Sequence, residues 1–115
     1  MFNYTYKLIS NANTAVTGNL VDLGETFRSF TMSCNITDPD GGVSAVSVAF
    51  EFTQDGTVWY TVVNKRFTAA QLSDLRAAWN IIDKPARAIR AKITNLVGAT
   101  ANTSIDVLVE RCRDA

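Results

Sequence analysis

The residues with the clearest chemical potential are two carboxylates in the segment Asp38-Pro39-Asp40-Gly41-Gly42. Two acidic side chains spaced two residues apart before a glycine resemble part of a calcium-binding loop, in which carboxylate oxygens surround the ion. Such a loop also needs a bidentate acidic residue further on, where this chain has Ala49. Asp, Pro and Gly form sharp turns without any metal. We therefore expect a turn here and no metal site.

The sequence contains few of the residue types that other kinds of catalysis require. The chain contains no histidine, which removes the commonest general base and the commonest zinc ligand. Its two cysteines, Cys34 and Cys112, are too few and too far apart for a thiolate zinc site. Gly41-Gly42 opens no helical pattern, so it is not a phosphate-binding loop. The sequence predicts a protein that is not an enzyme and uses no cofactor.

Length and charge narrow the class of protein further. The chain has 115 residues, the size of one domain, and we treat 1–115 as a single domain. Eleven basic residues balance eleven acidic ones, so no general attraction to nucleic acid or anionic lipid is expected. No apolar run reaches the roughly 18 residues of a membrane span, and the start lacks a secretory pattern. We expect a protein made in a cytosol, or assembled from there into a particle.

Alternating apolar and polar residues predict a mainly β fold. The pattern is clear in "FNYTYKLI", "FRSFTMSCNIT" and "SAVSVAFEF", and six or seven strands are expected in all. Strands of this kind pack as two sheets, so we predict a two-sheet antiparallel β-sandwich of jelly-roll or discoidin-like type. Residues 1–9 form either an N-terminal arm or an added strand.

Arg90 and Lys92 share one face of the strand expected near 87–94. We interpret that face as solvated and not as an anion-binding site, because long charged side chains normally stay in water.

One segment has helical spacing instead. Leu72, Leu75 and Trp79 form a single apolar stripe, and Thr68 precedes Gln71 by three residues, as in a capping box. The sequence predicts one short helix near 68–79 with its stripe facing the core.

The stretch "FEFTQDGTVWYTVV" predicts a β-hairpin with Asp55-Gly56 at its turn, because both residues accept left-handed conformations. Trp59 and Tyr60 then point to opposite faces of the returning strand. We expect Trp59 to anchor the core and Tyr60 to be exposed.

The two cysteines differ in strand parity. Cys34 shares its parity with the apolar residues of "FTMSCNI", whereas Cys112 does not share that of "SIDVLVERC". A disulfide needs facing side chains, so we expect free thiols, with Cys34 as a small core residue.

The hairpin also carries a resemblance. Thr53-Gln54-Asp55-Gly56-Thr57-Val58-Trp59 is similar to the S-x-D-G-x-x-W pattern of discoidin-like β-sandwich domains, with Thr in place of Ser. "ARAIRAKITNLVGATANTSIDVLVER" continues the likeness with an Arg-containing strand, a turn and a final strand. Over roughly residues 27–110 the chain resembles small β-sandwich structural proteins of tailed bacteriophages. The helix near 68–79 and the Tyr-rich start depart from that pattern.

This resemblance implies a virion component that works by contact and without a cofactor. It favours a capsid decoration or cement protein, made in the host cytoplasm and bound to the major capsid protein or other virion proteins as a homo-oligomer. A carbohydrate-binding module on a phage head or tail is the alternative. The candidate partner contacts are Phe2, Tyr4, Tyr6 and Tyr60.

Overall fold

A computed structural model describes residues 4–27, 29–81 and 86–111 of the protein. Within them the chain forms eight strands and one short helix, which confirms the predicted mainly β class. The elements are β1 (Tyr4–Ala12), β2 (Val21–Phe27), β3 (Phe30–Thr37), β4 (Ala45–Thr53), β5 (Tyr60–Arg66), α1 (Ala69–Asp74), β6 (Arg76–Ile81), β7 (Ala86–Val97) and β8 (Ser104–Arg111).

The described strands form two four-stranded antiparallel sheets. The first sheet has the order β1-β8-β3-β6 and the second sheet the order β2-β7-β4-β5. The predicted two-sheet antiparallel sandwich is therefore confirmed. Strands β4 and β5 are neighbours, as are β3 and β6, β2 and β7, and β1 and β8. The chain thus follows the path of one long hairpin whose tip is the β4–β5 loop, rolled into two layers as in an eight-stranded jelly roll.

The core consists of the apolar faces that the two sheets turn toward each other. Phe30 of the first sheet and Phe50 of the second meet across it with ring centroids 5.5 Å apart. Both side chains are fully buried, and burying a side chain of this size contributes about 1.5–3 kcal/mol. The other large, fully buried apolar residues are Leu8, Met32, Val46, Val48, Ile89, Ile105, Val107 and Val109.

Cys34 belongs to this core, as its parity predicts. Its thiol is free and fully buried. Burial raises the pKa of Cys34 to about 12, and the nearby charge of Asp106 adds to the effect. The thiolate that a nucleophile or a metal ligand requires is therefore suppressed at neutral pH. Cys112, the other cysteine, lies outside the described residues.

The two layers are joined along both sides of the sandwich. On one side, the Gly18 amide donates to the carbonyl oxygen of Ala91 at 2.8 Å, and the next amide, Asn19, donates to that of Leu8 at 3.0 Å. One short segment thus bonds to β7 of the second sheet and β1 of the first. On the other side α1 connects β5 to β6, and Phe67 packs edge-on against Trp79 with ring centroids 5.7 Å apart.

The helix is shorter than its sequence pattern predicts. The capping box is present: the Thr68 hydroxyl accepts from the Gln71 amide, and the Gln71 side chain accepts from the Thr68 amide. Helix α1 nevertheless ends at Asp74, because Leu75 adopts the left-handed conformation with φ 59°. Residues 76–81 then form β6, which pairs with β3. The prediction of helix to residue 79 is wrong because strand pairing outweighs helix propensity there.

Strand β2 is absent from the sequence-based prediction. It pairs with β7 at Val21, Asp22 and Phe27, with a register irregularity between Asp22 and Phe27. A strand interrupted in this way loses the period-two pattern that would identify it. Phe27, assigned from the sequence to the following strand, is instead the last residue of β2.

Gly98 provides a test of how closely the loops pack at one end of the sandwich. Its φ is +87°, and a Cβ atom there would collide with the Gly42 carbonyl oxygen. Gly56 has a similar φ of +82°, with no atom within 4 Å of such a Cβ. We expect Gly56→Ala to lower the free energy of unfolding by about 1–2 kcal/mol, the cost of a left-handed residue. Gly98→Ala should lose about 1–3 kcal/mol more, because the neighbouring backbone must also move.

Urea unfolding of the two glycine variants, followed by circular dichroism, measures both losses. Gly56→Ala is the matched control, since it isolates backbone strain from collision. Equal losses in the two proteins would show that the two loops separate freely.

Candidate interaction surface

The outward-facing side of β4 in the second sheet is unusually well covered. Ala49, Glu51 and Thr53 alternate with the core residues of β4, yet their exposed fractions are only 3%, 7% and 0%. Charged residues are rarely buried unless they are paired. A buried Glu51 carboxylate therefore requires partners on the neighbouring strands.

Glu51 lies at the centre of a cluster that neighbouring strands supply. The sheet register places it directly opposite Arg90 of β7 on one side and Thr61 of β5 on the other. Arg90 Nε donates to Glu51 Oε1 at 2.8 Å, and the Thr61 hydroxyl donates to Oε2 at 3.3 Å. Lys92 Nζ lies 4.0 Å from Oε2. The Glu51 carboxylate thus accepts bonds on both oxygens and faces two cations.

Trp59 completes this group. The guanidinium carbon of Arg90 lies 4.1 Å from the centre of the Trp59 ring, which is the geometry of a cation–π contact. We call Glu51, Trp59, Thr61, Arg90 and Lys92 the Glu51 cluster. Its net formal charge is one positive charge, since two cations face one carboxylate.

The expectation that Trp59 anchors the core is wrong. Tyr60 pairs with Phe52, which packs against the core, so Trp59 one residue earlier faces outward. Arg90 likewise is not a freely solvated side chain: it is ion-paired and only 25% exposed. The exposed position predicted for Tyr60 is confirmed, at 55%.

The hairpin loop is longer than its Asp-Gly signal predicts. Strand β4 ends at Thr53 and β5 begins at Tyr60, so residues 54–59 form the connection. Gly56 has a positive φ and Asp55 does not, so the two-residue turn with two left-handed residues is not formed. The six-residue length is what places Trp59 beside Arg90.

Asp55 holds this loop together. Its Oδ1 accepts from the amides of Thr57 at 2.8 Å and Val58 at 2.9 Å, and from the Thr53 hydroxyl at 3.0 Å. These bonds, led by that from Val58, lower the pKa of the Asp55 carboxyl below its usual range. The Asp55 side chain acts as a structural acceptor inside the loop.

Asp38 and Asp40 are engaged in the same way. The Thr100 hydroxyl and the Asn102 side-chain amide donate to Asp40 Oδ2 at 2.6 and 3.2 Å, which lowers the pKa of that carboxyl. The Val43 amide donates to Asp38 Oδ2 at 3.0 Å. The Asp38 carboxylate thus accepts a hydrogen bond within the β3–β4 turn, and the Asp40 carboxylate connects that turn to the β7–β8 loop. No group of three or more acidic or cysteine side chains in the described ranges is arranged to hold a metal.

Of the four candidate partner contacts, Tyr6 and Tyr60 have described side chains, and they lie on different sheets. Tyr60 is exposed on β5, with its ring 5.5 Å from that of Phe52. Tyr6 is half-buried and packs against the core from β1, an edge strand of the other sheet. Tyr4 begins β1 opposite Arg111, but its side chain, like all of Phe2, lies outside the described part of the chain.

The one helix in the described part of the chain is too short to cross a membrane.

Because the Glu51 carboxylate is paired with two cations, we expect its removal to lower the stability of the folded protein. Glu51→Gln keeps the shape of the side chain but leaves Arg90 and Lys92 facing a neutral amide. We expect the free energy of unfolding to fall by about 1–2 kcal/mol, the lower part of the range for bonds to charged groups because Arg90 is partly exposed. Asp74→Asn, an exposed carboxylate at the end of α1, is the matched control and should change it by less than about 0.5 kcal/mol. Chemical denaturation measures the free energy of unfolding of both variants. If Glu51→Gln lowered it as little as Asp74→Asn does, the cluster would not contribute to stability.

The lowered pKa values of Asp40 and Asp55 predict an acid-sensitive contribution to stability. A lowered folded-state pKa stabilises the protein fully above the unfolded value of about 3.9, and this contribution is lost as pH falls through the folded-state pKa. In the double variant Asp40→Asn/Asp55→Asn we expect the free energy of unfolding to decline less steeply from about pH 5 to about pH 2. Urea titrations across that range measure the slope. Identical slopes in the two proteins would contradict the role assigned to these carboxylates.

Comparison with known proteins gives one informative likeness. No protein-family model matches the sequence, and no curated protein sequence matches it. The crystal structure of the SPBc2 prophage-derived protein YomS has a similar fold, with a TM-score of 0.55 and 9% sequence identity. The match covers 95% of this chain and 93% of that one. At this identity the likeness shows the fold alone, so this chain is a mainly β sandwich similar in fold to a phage-derived protein.

Proposed function

We propose that the protein is a non-enzymatic structural component of a tailed-bacteriophage particle, most specifically a capsid decoration or cement protein. The observation that carries the proposal is the whole-chain similarity in fold to a prophage-derived protein. The jelly-roll path supports it by analogy, because capsid domains are among the proteins that use this architecture.

The shape of the molecule suits a protein that works by contact. Its principal extents are 41, 30 and 19 Å, so the described part is a slab with two broad sheet faces. One of these faces carries the Glu51 cluster, whose cross-strand ion pair fixes the side chains before any partner arrives. Side chains that are already ordered lose less conformational entropy on binding.

The most suitable contact area lies around the end of the β4–β5 hairpin. Val58 and Tyr60 are 48% and 55% exposed, and Trp59 and Arg90 lie on the adjoining outer face. Tyr, Trp and Arg are the residue types that contribute most binding energy in protein interfaces. We propose that this corner contacts the major capsid protein or another virion protein.

The test begins with particles of the phage whose genome carries the gene. Quantitative mass spectrometry of purified particles should find the chain in a fixed ratio to the coat protein. Particles made without the gene should lose their coat at lower temperature and take up added protein. Absence of the chain from purified particles would rule out this function.

Two matched variants locate the contact. Val58→Ala and Val97→Ala remove the same atoms from side chains that are 48% and 47% exposed, the first in the β4–β5 loop and the second at the end of β7. We expect Val58→Ala, and more strongly Tyr60→Ala, to reduce binding to particles that lack the protein, while Val97→Ala binds normally. Equal binding by all three variants would place the contact elsewhere on the surface.

The carbohydrate-binding alternative stays a prediction. Arg90 occupies one face of the Trp59 ring, and the Tyr60 ring packs beside Phe52, so Tyr60 is the better exposed aromatic for a sugar. Binding of the purified chain to a glycan array, lost in Tyr60→Ala, would favour this alternative over the structural one.

A further inference from the structure

The four sheet edges of this sandwich are not alike. The edge strands are β1 and β6 in the first sheet and β2 and β5 in the second. Register irregularities interrupt β1 twice, β2 once and β5 once. Strand β6 pairs with β3 through six consecutive partners with no irregularity. Of the described edges, β6 is therefore the regular one.

Other edge-protecting features are also missing from β6. Exposed edges are commonly blunted by bulges, lysines or prolines, because unpaired backbone groups invite another strand. Strands β1 and β5 contain Lys7 and Lys65 in addition to their irregularities. Strand β6, "RAAWNI", has one charge, Arg76, at its first position. An edge this regular and this uncharged is suited to accept a further strand.

We propose that β6 pairs antiparallel with β6 of a second copy of this chain, around a twofold axis at Ala78, so that the first sheet continues into that of its partner. This register places Ala78 opposite its own copy and Arg76 opposite Asn80, both on the outer face. On the inner face it places Ala77 opposite Trp79. No like charges are opposed, and the small alanine faces the large tryptophan.

The side chains of β6 explain why a second copy fits this edge. A register that set Arg76 opposite its own copy would bring two guanidinium groups together, which destabilises a cross-strand pair. At the proposed axis the outward residue is Ala78, which is exposed, small and uncharged. Trp79 remains half-buried at this edge although it packs against Phe67. The partner's Ala77 would cover it further. Such a twofold contact uses the same patch on both copies.

Pairing of a single edge limits the strength of the dimer. Six residues a side bury less than the roughly 1,000 Å² that a stable interface requires. The dimer is therefore expected to be concentration-dependent, with a Kd on the order of micromolar to tens of micromolar. Such a dimer is a property of the isolated chain, whatever particle the chain belongs to.

A charge-pairing experiment tests the contact at the axis. Sedimentation velocity from about 1 to about 500 µM should show the wild-type chain passing from monomer to dimer. Ala78→Lys and Ala78→Glu each set two like charges opposite one another and should raise the Kd by roughly tenfold or more. An equimolar mixture of the two variants should recover the dimer, since Lys then faces Glu.

Matched controls separate this contact from general charge effects. Ala101→Lys and Ala101→Glu change an exposed alanine in the β7–β8 loop and should dimerise like the wild type. Circular dichroism confirms that every variant is folded. A wild type that stays monomeric up to the highest concentration would overturn the proposal. Dimers that persist unchanged in both Ala78 variants would overturn it as well.

Discussion

Phe30 and Phe50 meet in the middle of the sandwich, and the rest of the structure depends on the apolar layer to which they belong. Each lies on a central strand of its sheet and is fully buried. Because side chains alternate between the faces of a strand, turning these residues inward fixes the outward direction of every neighbour along β3 and β4. The polar and charged residues of the outer surfaces therefore owe their positions to the core.

The β4–β5 hairpin has a second organising role. It is the tip of the long hairpin path that the chain follows, and β4 pairs with β7 on the side away from β5. Asp55 stabilises the tip by accepting two backbone amides and a hydroxyl. A six-residue loop of this kind is a local structure, yet its length decides that Trp59 faces outward toward Arg90 and not into the core.

The outer face of the second sheet shows how a β-sandwich can prepare a surface for binding. Removing the Glu51 carboxylate from water is costly, and the direct bonds from Arg90 and Thr61 offset that cost. The result is a set of side chains that contact one another across three strands. The packed Trp59 and Arg90 side chains, close in the chain to the exposed Tyr60, are of the residue types that proteins use for contact, as the proposed virion role requires.

Features that depend on neighbours along the chain could be predicted from the sequence. Alternation around Cys34 predicted its strand and its burial, and the Thr68-Gln71 pair predicted the start of the helix, because both patterns are set by local geometry. By contrast, no sequence pattern predicted that residues 76–81 pair with β3, that the irregular β2 pairs with β7, or that Glu51 lies opposite Arg90. These are pairings between segments far apart in the chain. They follow from which strands the buried apolar layer brings side by side, and no local pattern encodes that choice.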